Sequence, residues 1–167
     1  MRDTEKDILE LLYSRYYSSA LLYCMALCGS RETAEDLVSD AFIKAYLSLP
    51  DEIPSFQYWL LRVCKNLWID ELRKRKRTVN LEAMHVTAEE ETPEARYLKT
   101  ERSRCLWNII RQLPAADREI LTLHYFSGMQ LKDISQILGK SYPAVRQRLV
   151  RLRQTIKKQM EEQEYGF

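Results

Sequence analysis

The sequence contains few of the residues that interrupt helices. Only four glycines and five prolines occur in 167 residues, and no run of β-branched residues is present. Leucine, alanine, arginine, lysine and glutamate recur instead at helical spacing. The chain is therefore predicted to be all-α, with two small helical domains. The predicted helices are Thr4–Leu27, Arg31–Ser48, Phe56–Arg77, Ala95–Gln112, one that ends at Gly128, and two more from residue 131 onward.

Charge is distributed in blocks, although the formal net charge is only +2. Arg62–Thr78 has seven basic and two acidic residues, Leu81–Glu101 has two basic and six acidic residues, and Arg146–Lys158 has six basic residues and no acid. Two basic blocks separated by an acidic stretch suggest two contact surfaces joined by a linker. We expect domains at residues 1–79 and 97–163, with a flexible linker at 80–96.

Several classes of protein are not expected from the sequence. No stretch has the roughly 18 apolar residues of a membrane span, and Met1 is followed by polar residues rather than by a signal peptide. No glycine-rich phosphate loop or nucleophile–base pair can be argued, so neither catalysis nor a cofactor is expected. The cysteines lack metal-site spacing, and we interpret them as packing residues in a reduced cytoplasm: Cys24, Cys28, Cys64 and Cys105.

Residues 131–149 have the pattern of a helix-turn-helix. Its first helix would turn Ile134, Ile137 and Leu138 inward. Gly139 suits the left-handed turn, and Ser141 is a suitable N-cap for the second helix. On that helix Val145, Leu149 and Leu152 are predicted to face the core.

The second helix of this motif carries many arginines and no acid between residues 140 and 154. Small and amide side chains near a recognition helix N-terminus reach base edges, and arginines contact guanine or phosphate. The residues predicted to contact base edges are Ser141, Ala144, Gln147 and Arg148. Those predicted to contact mainly phosphate are Lys140, Arg146, Arg151, Arg153 and Lys157.

Longer segments resemble a known family. SRETAEDLVSDAFIKAYLSL and FQYWLLRVCKNLWIDELRKRKR resemble region two of bacterial sigma factors. LPAADREILTLHYFSGMQLKDISQILGKSYPAVRQRLVRLRQTIKK resembles their region four. The resemblance covers roughly residues 8–79 and 100–158, and it identifies the chain as a sigma factor of the extracytoplasmic-function (ECF) group of the sigma-70 family.

The resemblance implies roles for the first domain. The AEDLVSDAF helix would dock on core RNA polymerase through Glu35, Asp36, Leu37 and Asp40. The following basic helix would melt and read the minus-10 promoter element through Arg62, Lys65, Asn66, Arg73, Lys74 and Arg77. Trp59 and Trp68 are expected in the core rather than as stacking platforms. A loop that captures a flipped base in the family corresponds here to Asp51–Ser55, which is shorter and more acidic.

The resemblance also implies partners. The second domain would read the minus-35 element of promoter DNA, and an anti-sigma factor, commonly membrane-anchored in this group, would sequester the protein in the cytoplasm. A linker of this length is too loose to set the spacing of two promoter elements, so polymerase would act as the scaffold. The alternative is a stand-alone helix-turn-helix regulator that binds a palindromic operator without polymerase.

Overall fold

A computed structural model describes residues 2–48, 55–78 and 100–164. The described residues are almost entirely helical and contain no β-strand, which confirms the all-α prediction. The chain divides into two compact units, Met1–Val86 and Thr87–Phe167, and each is described separately here. Most of the Asp51–Ser55 loop and the whole predicted linker at 80–96 lie outside the described residues.

The described residues of the first unit form three packed helices: α1 (Arg2–Cys28), α2 (Arg31–Ser48) and α3 (Phe56–Thr78). Gly29 ends α1 with a φ of 70°, a left-handed conformation that glycine adopts without strain. Ser30 then caps α2, because its Oγ accepts a hydrogen bond from the Thr33 N–H at 3.4 Å. Ser55 caps α3 in the same way through the Tyr58 N–H at 3.3 Å.

The core of this unit is supplied by all three helices. Residues 20–28 of α1 are buried without interruption. Helix α2 contributes a row at helical spacing that includes Ala34, Val38 and Ala41, and α3 contributes Leu60, Leu61, Cys64 and Trp68. Trp68 is therefore in the core as predicted, whereas Trp59 is half-buried beside Phe56.

The second unit contains α4 (Glu101–Arg111), α5 (Ala115–Leu121), a π-helical turn (Thr122–Phe126), α6 (Leu131–Leu138) and α7 (Tyr142–Glu164). The predicted start of α4 near Ala95 is wrong. Thr100 has extended dihedrals, φ −121° and ψ 149°, and its Oγ1 accepts a hydrogen bond from the Ser103 N–H at 3.1 Å. Thr100 is therefore the N-cap, and α4 begins after it.

The π-helical turn follows α5 directly, where the sequence predicted an uninterrupted helix to Gly128. The Ser127 N–H donates to the Thr122 carbonyl, five residues earlier, at 3.1 Å. Leu123 remains fully buried in this turn, while His124 and Tyr125 are at least partly exposed. The wider turn thus keeps the core contact and changes the direction in which the following side chains leave the helix.

Candidate nucleic-acid interface and docking face

Helices α6 and α7 form the helix-turn-helix that the sequence predicts. Gly139 lies between them with φ 64° and ψ 30°, the left-handed turn. Ser141 caps α7, because its Oγ accepts a hydrogen bond from the Ala144 N–H at 3.3 Å. Ser135 is buried in α6, and its hydroxyl donates to the Lys132 carbonyl at 2.6 Å, so a serine is accommodated there.

Helix α7 has one buried row and is otherwise exposed. Val145, Leu149 and Leu152 are buried as predicted, and Ile156 extends the same row. All nine residues predicted to contact the minus-35 element are exposed: Lys140, Ser141, Ala144, Arg146, Gln147, Arg148, Arg151, Arg153 and Lys157.

The exposed residues of α7 do not share one face. Ala144, Gln147, Arg148 and Arg151 line one shallow groove, together with Asp117 and Leu152. At about 100° per residue, Arg146 and Arg153 lie about 160–180° around the helix from Ala144. The side chains that line the groove therefore cannot contact the same base edge as Arg146 and Arg153.

Arg148 is held by an acid that sequence reasoning missed. Its Nε donates to Oδ1 of Asp117, in the first turn of α5, at 2.5 Å. The Arg148 side chain is 46% exposed, and that of Asp117 is only 11% exposed. The hydrogen bond from Arg148 to Asp117, followed by the carboxylate charge, raises the pKa of the guanidinium above its usual value.

Arg153 contacts the π-helical turn. Its Nη2 lies 2.9 Å from Nε2 of His124. Partial burial, followed by the charge of Arg153, lowers the pKa of His124 below its usual 6.5. The imidazole is therefore neutral near pH 7, and its Nε2 accepts the hydrogen bond from the arginine.

Helix α3 carries the basic residues predicted to contact the minus-10 element. Arg62, Asn66, Arg73 and Arg77 are exposed. At about 100° per residue they fall within about 60° of one another, in a row about 22 Å long on the side opposite the buried row. We call these four residues the basic row. Two further candidates flank it, Lys65, which is half-buried, and Lys74, which is exposed.

Arg75 belongs to the packing of the bundle rather than to the basic row. Its guanidinium lies 5.3 Å from the centroid of the Trp68 ring, its Nε donates to Glu71 at 3.1 Å, and its Nη2 donates to Oγ1 of Thr33 at 3.4 Å. The hydrogen bond to Thr33 joins α3 to α2, while the contacts with Trp68 and Glu71 lie within α3.

The predicted polymerase-docking residues on α2 differ in accessibility. Asp36 and Asp40 are exposed, while Glu35 is half-buried and pairs with Arg31 at 2.8 Å. Leu37 is only 6% exposed, because it belongs to the buried row of α2. Together with Asp40 it lines a groove whose other residues come from α3, including Arg73, Lys74 and Arg77.

Apolar side chains continue the acidic face of α2, and the sequence prediction did not include them. Ile43 is 55% exposed and Leu47 is 73% exposed. Asp36, Asp40, Ile43 and Leu47 are spaced by four, three and four residues and fall within about 60° on one side of the helix. We call these four residues the docking row. That spacing was readable from the sequence.

The described residues offer few groups for other chemistry. Among them no cluster of three or more His, Cys, Asp or Glu could hold a metal ion, and no described helix is long and apolar enough to cross a membrane. Cys24, Cys28 and Cys64 are buried. A hydrogen bond to Cys64, followed by burial, raises the pKa of the Cys24 thiol well above its usual value, so these cysteines are packing residues as predicted.

A helix-turn-helix in one unit, and a basic helix beside an acidic one in the other, are features of a DNA-binding protein. Family comparisons agree. The model of sigma-70 region 2 matches residues 12–78, and that of sigma-70, region 4 matches residues 103–156. ECF RNA polymerase sigma factor SigW of Bacillus subtilis (strain 168) is 28% identical over 172 residues, which cover 95% of this chain and 90% of that protein. SigM of the same strain is 25% identical, covering 89% of this chain and 93% of that protein.

Solved structures show the same fold. The sigma factor RpoE, in its complex with the anti-sigma factor NepR from Bartonella quintana, superposes with a TM-score of 0.64 at 22% identity and covers 96% of this chain and 98% of that one. CnrH, in complex with the cytosolic domain of CnrY, superposes with a TM-score of 0.58 at 21% identity, covering 93% and 89%.

The chain belongs to the sigma-70 family, in its extracytoplasmic-function group. It is an RNA polymerase sigma factor that directs promoter-specific transcription. Sigma factors are regulators rather than enzymes, in agreement with the sequence. The two family matches lie in both units, so a stand-alone helix-turn-helix regulator is not favoured.

Proposed function

We propose that the two units divide the work of promoter recognition among three surfaces. The docking row of α2 binds core RNA polymerase, the basic row of α3 holds the minus-10 element, and the exposed side of α7 binds the minus-35 element. The observation that carries this proposal is the docking row itself, where two exposed acids are followed by two exposed apolar side chains on one side of a helix.

The docking row suits a basic helical partner. Acids at Asp36 and Asp40 would accelerate association with a positive surface, and Ile43 and Leu47 would supply the apolar area that slows dissociation. A spacing of four, three and four residues is that of one helix packed along another. Leu37 lies about 90° around α2 from the docking row, and its side chain is buried in the bundle.

The basic row suits the phosphate backbone of partly melted DNA. Its length of about 22 Å corresponds to several successive phosphates. Lys65 and Lys74 flank it and add positive charge. The docking row borders a groove that Asp40 lines together with Arg73 and Arg77 of the basic row. Polymerase and the minus-10 strand would therefore be held side by side on this unit.

On α7, Gln147 and Arg151 are suited to base edges, since glutamine pairs with adenine and arginine with guanine. The sequence predicted that Arg151 contacts mainly phosphate; we assign it to base edges instead because at about 100° per residue it lies about 40° from Gln147, on the side away from the buried row. Ser141 and Ala144 lie at the N-terminal end of the same helix, where a duplex can approach closely. The remaining basic residues contact phosphate on either side: Lys140, Arg146, Arg153 and Lys157.

An anti-sigma factor is a further proposed partner. The two solved relatives are complexes with NepR and with the cytosolic domain of CnrY. A partner of that kind would cover the docking row or the basic rows and so block polymerase or DNA. Because polymerase and promoter DNA lie in the cytoplasm, we propose that this chain works there.

The basic row can be tested by promoter melting. The protein is assembled with core RNA polymerase, and permanganate reactivity of thymines is measured at the minus-10 element. In the variant Arg73→Ala/Arg77→Ala we expect normal assembly, weaker melting, and a slope of log K against log[salt] for DNA binding that is shallower by about 1.4–1.8.

The matched control is Lys6→Ala/Arg15→Ala, which removes two positive charges from α1 of the same unit. It should melt the promoter as the wild type does. Equal losses in the two variants would show that net charge alone matters, and the assignment of the basic row would then be wrong.

A further inference from the structure

The Asp117–Arg148 pair joins the recognition helix to the body of its unit. Asp117 belongs to the first turn of α5, and Arg148 lies 31 residues further along, on α7. The carboxylate is nearly buried, with 11% of its side chain exposed, while the arginine is 46% exposed. Asp117 is thus the buried partner of this contact, and the more exposed Arg148 side chain extends from α7 to it.

The burial of Asp117 favours a contact that persists when DNA binds. Removing the arginine would leave a nearly buried carboxylate without its cation, which is costly. DNA brings only negative phosphates and neutral bases to this surface, so it cannot replace the guanidinium beside Asp117. Arg148 therefore already has a charged hydrogen-bond partner within its own domain.

The position of Arg148 around α7 agrees with this. At about 100° per residue, Arg148 lies about 70° from the middle of the buried row formed by Val145, Leu149, Leu152 and Ile156. Gln147 lies about 170° from it and Arg151 about 130°. Arg148 is thus beside the domain body, and the other two point away from it.

We infer that Asp117 and Arg148 form a strut that seats α7 on α5, and that Arg148 is a positioning residue rather than a reader of bases. The inference rests on the proposed binding of the minus-35 element by α7. The strut fixes the rotation of α7 about its own axis, which determines that Gln147 and Arg151 meet the base edges. It corrects the sequence-based expectation that Arg148 itself contacts a base.

The test uses holoenzyme assembled from the full chain and core RNA polymerase, on templates with a randomised minus-35 element. Transcripts are sequenced, which gives both total output and base preference. The variants are Asp117→Asn, Arg148→Met and the apolar pair Asp117→Leu/Arg148→Met. Glu101→Gln controls for the loss of one acid in the same unit, and Arg151→Ala shows what loss of a base reader looks like. Output is measured about 15 °C below each variant's own midpoint of thermal unfolding.

We expect each single variant to unfold about 5–10 °C lower and to lose output about tenfold on all templates, with its base preference unchanged. The apolar pair, which leaves no buried group unpaired, should recover most of the output with the same preference. Arg151→Ala should lose discrimination at one base pair, while Glu101→Gln should behave as the wild type.

Two results would overturn the strut. Loss of discrimination at one base pair in Arg148→Met, but not in Asp117→Asn, would make Arg148 a base reader. Normal transcript output from folded Asp117→Asn would show that the Asp117–Arg148 pair contributes only to folding stability. If the proposed binding of the minus-35 element by α7 is itself wrong, the result differs from these two. The wild type would then show no base preference at that element, or Arg151→Ala would leave the preference unchanged.

Discussion

Ile43 and Leu47 leave a large apolar area in water, and the docking proposal requires that area to be buried against polymerase. Complete burial of such a side chain contributes about 1.5–3 kcal/mol. With 55% of Ile43 and 73% of Leu47 available for burial, the pair contributes about 1.5–3 kcal/mol once the β-carbons that alanine retains are discounted. Ile43→Ala/Leu47→Ala should therefore weaken binding to core polymerase about 10- to 150-fold.

The assay is equilibrium binding of fluorescently labelled protein to core polymerase at several salt concentrations. The affinity of the double alanine variant should fall at every salt concentration, with an unchanged salt slope, because no charge is removed. Asp36→Asn/Asp40→Asn should instead lower mainly the association rate and flatten the salt dependence.

Helix α1 provides the matched control. Ile8 is 51% exposed and Leu11 71% exposed, so Ile8→Ala/Leu11→Ala removes almost the same exposed apolar area from the same unit. Alanine favours helices, so neither double variant should unfold its helix. The reasoning is refuted if Ile43→Ala/Leu47→Ala binds within about threefold of the wild type, or if the α1 control loses as much affinity.

Three further predictions concern stability and reactivity. The pKa of His124 is lowered in the folded state, so the unfolded chain binds the proton first as pH falls, and the free energy of unfolding should decrease as pH falls below about 7 until the folded imidazole is protonated as well. Urea titrations should show a shallower decrease in His124→Gln, and equal slopes would contradict this. Leu149→Ala should lower the free energy of unfolding, measured by chemical denaturation, by about 2–5 kcal/mol, because Leu149 is 2% exposed. Val150 is its exposed neighbour, and Val150→Ala should lower that free energy by less than about 0.5 kcal/mol. Cys24 is buried and should resist a thiol reagent in the native protein, whereas Cys105, which is half-buried, should react. Mass spectrometry of the labelled protein measures both, and rapid labelling of Cys24 would contradict its burial.

Most of the fold could be predicted because its signals are local. Gly29 and Gly139 end helices where a left-handed residue is needed, and Ser30, Ser55 and Ser141 cap the helices that follow. Each depends on a few neighbouring residues and on the periodicity of apolar side chains. The start of α4 was missed because the cap at Thr100 follows helix-favouring residues that gave no sign of a boundary.

The parts that were missed depend on contacts between distant residues. The bond from Arg148 to Asp117 joins α7 to α5, and no spacing rule connects the two positions. The π-helical turn leaves no mark in the apolar pattern of residues 122–126. Leu37 was assigned to the docking surface from the family resemblance, and the structure shows that its side chain is 6% exposed. The docking row is different, since the spacing from Asp36 to Leu47 could have been read directly.

The most direct test of the whole account is transcription with sigma-free core RNA polymerase on a library of genomic templates. The wild-type protein should produce discrete start sites that share two promoter elements, and Asp36→Arg/Asp40→Arg, which reverses the charge of the docking row, should abolish them. If the wild type gives no selective transcription, and the protein alone binds a palindromic DNA site tightly, the chain does not act as the sigma factor described here.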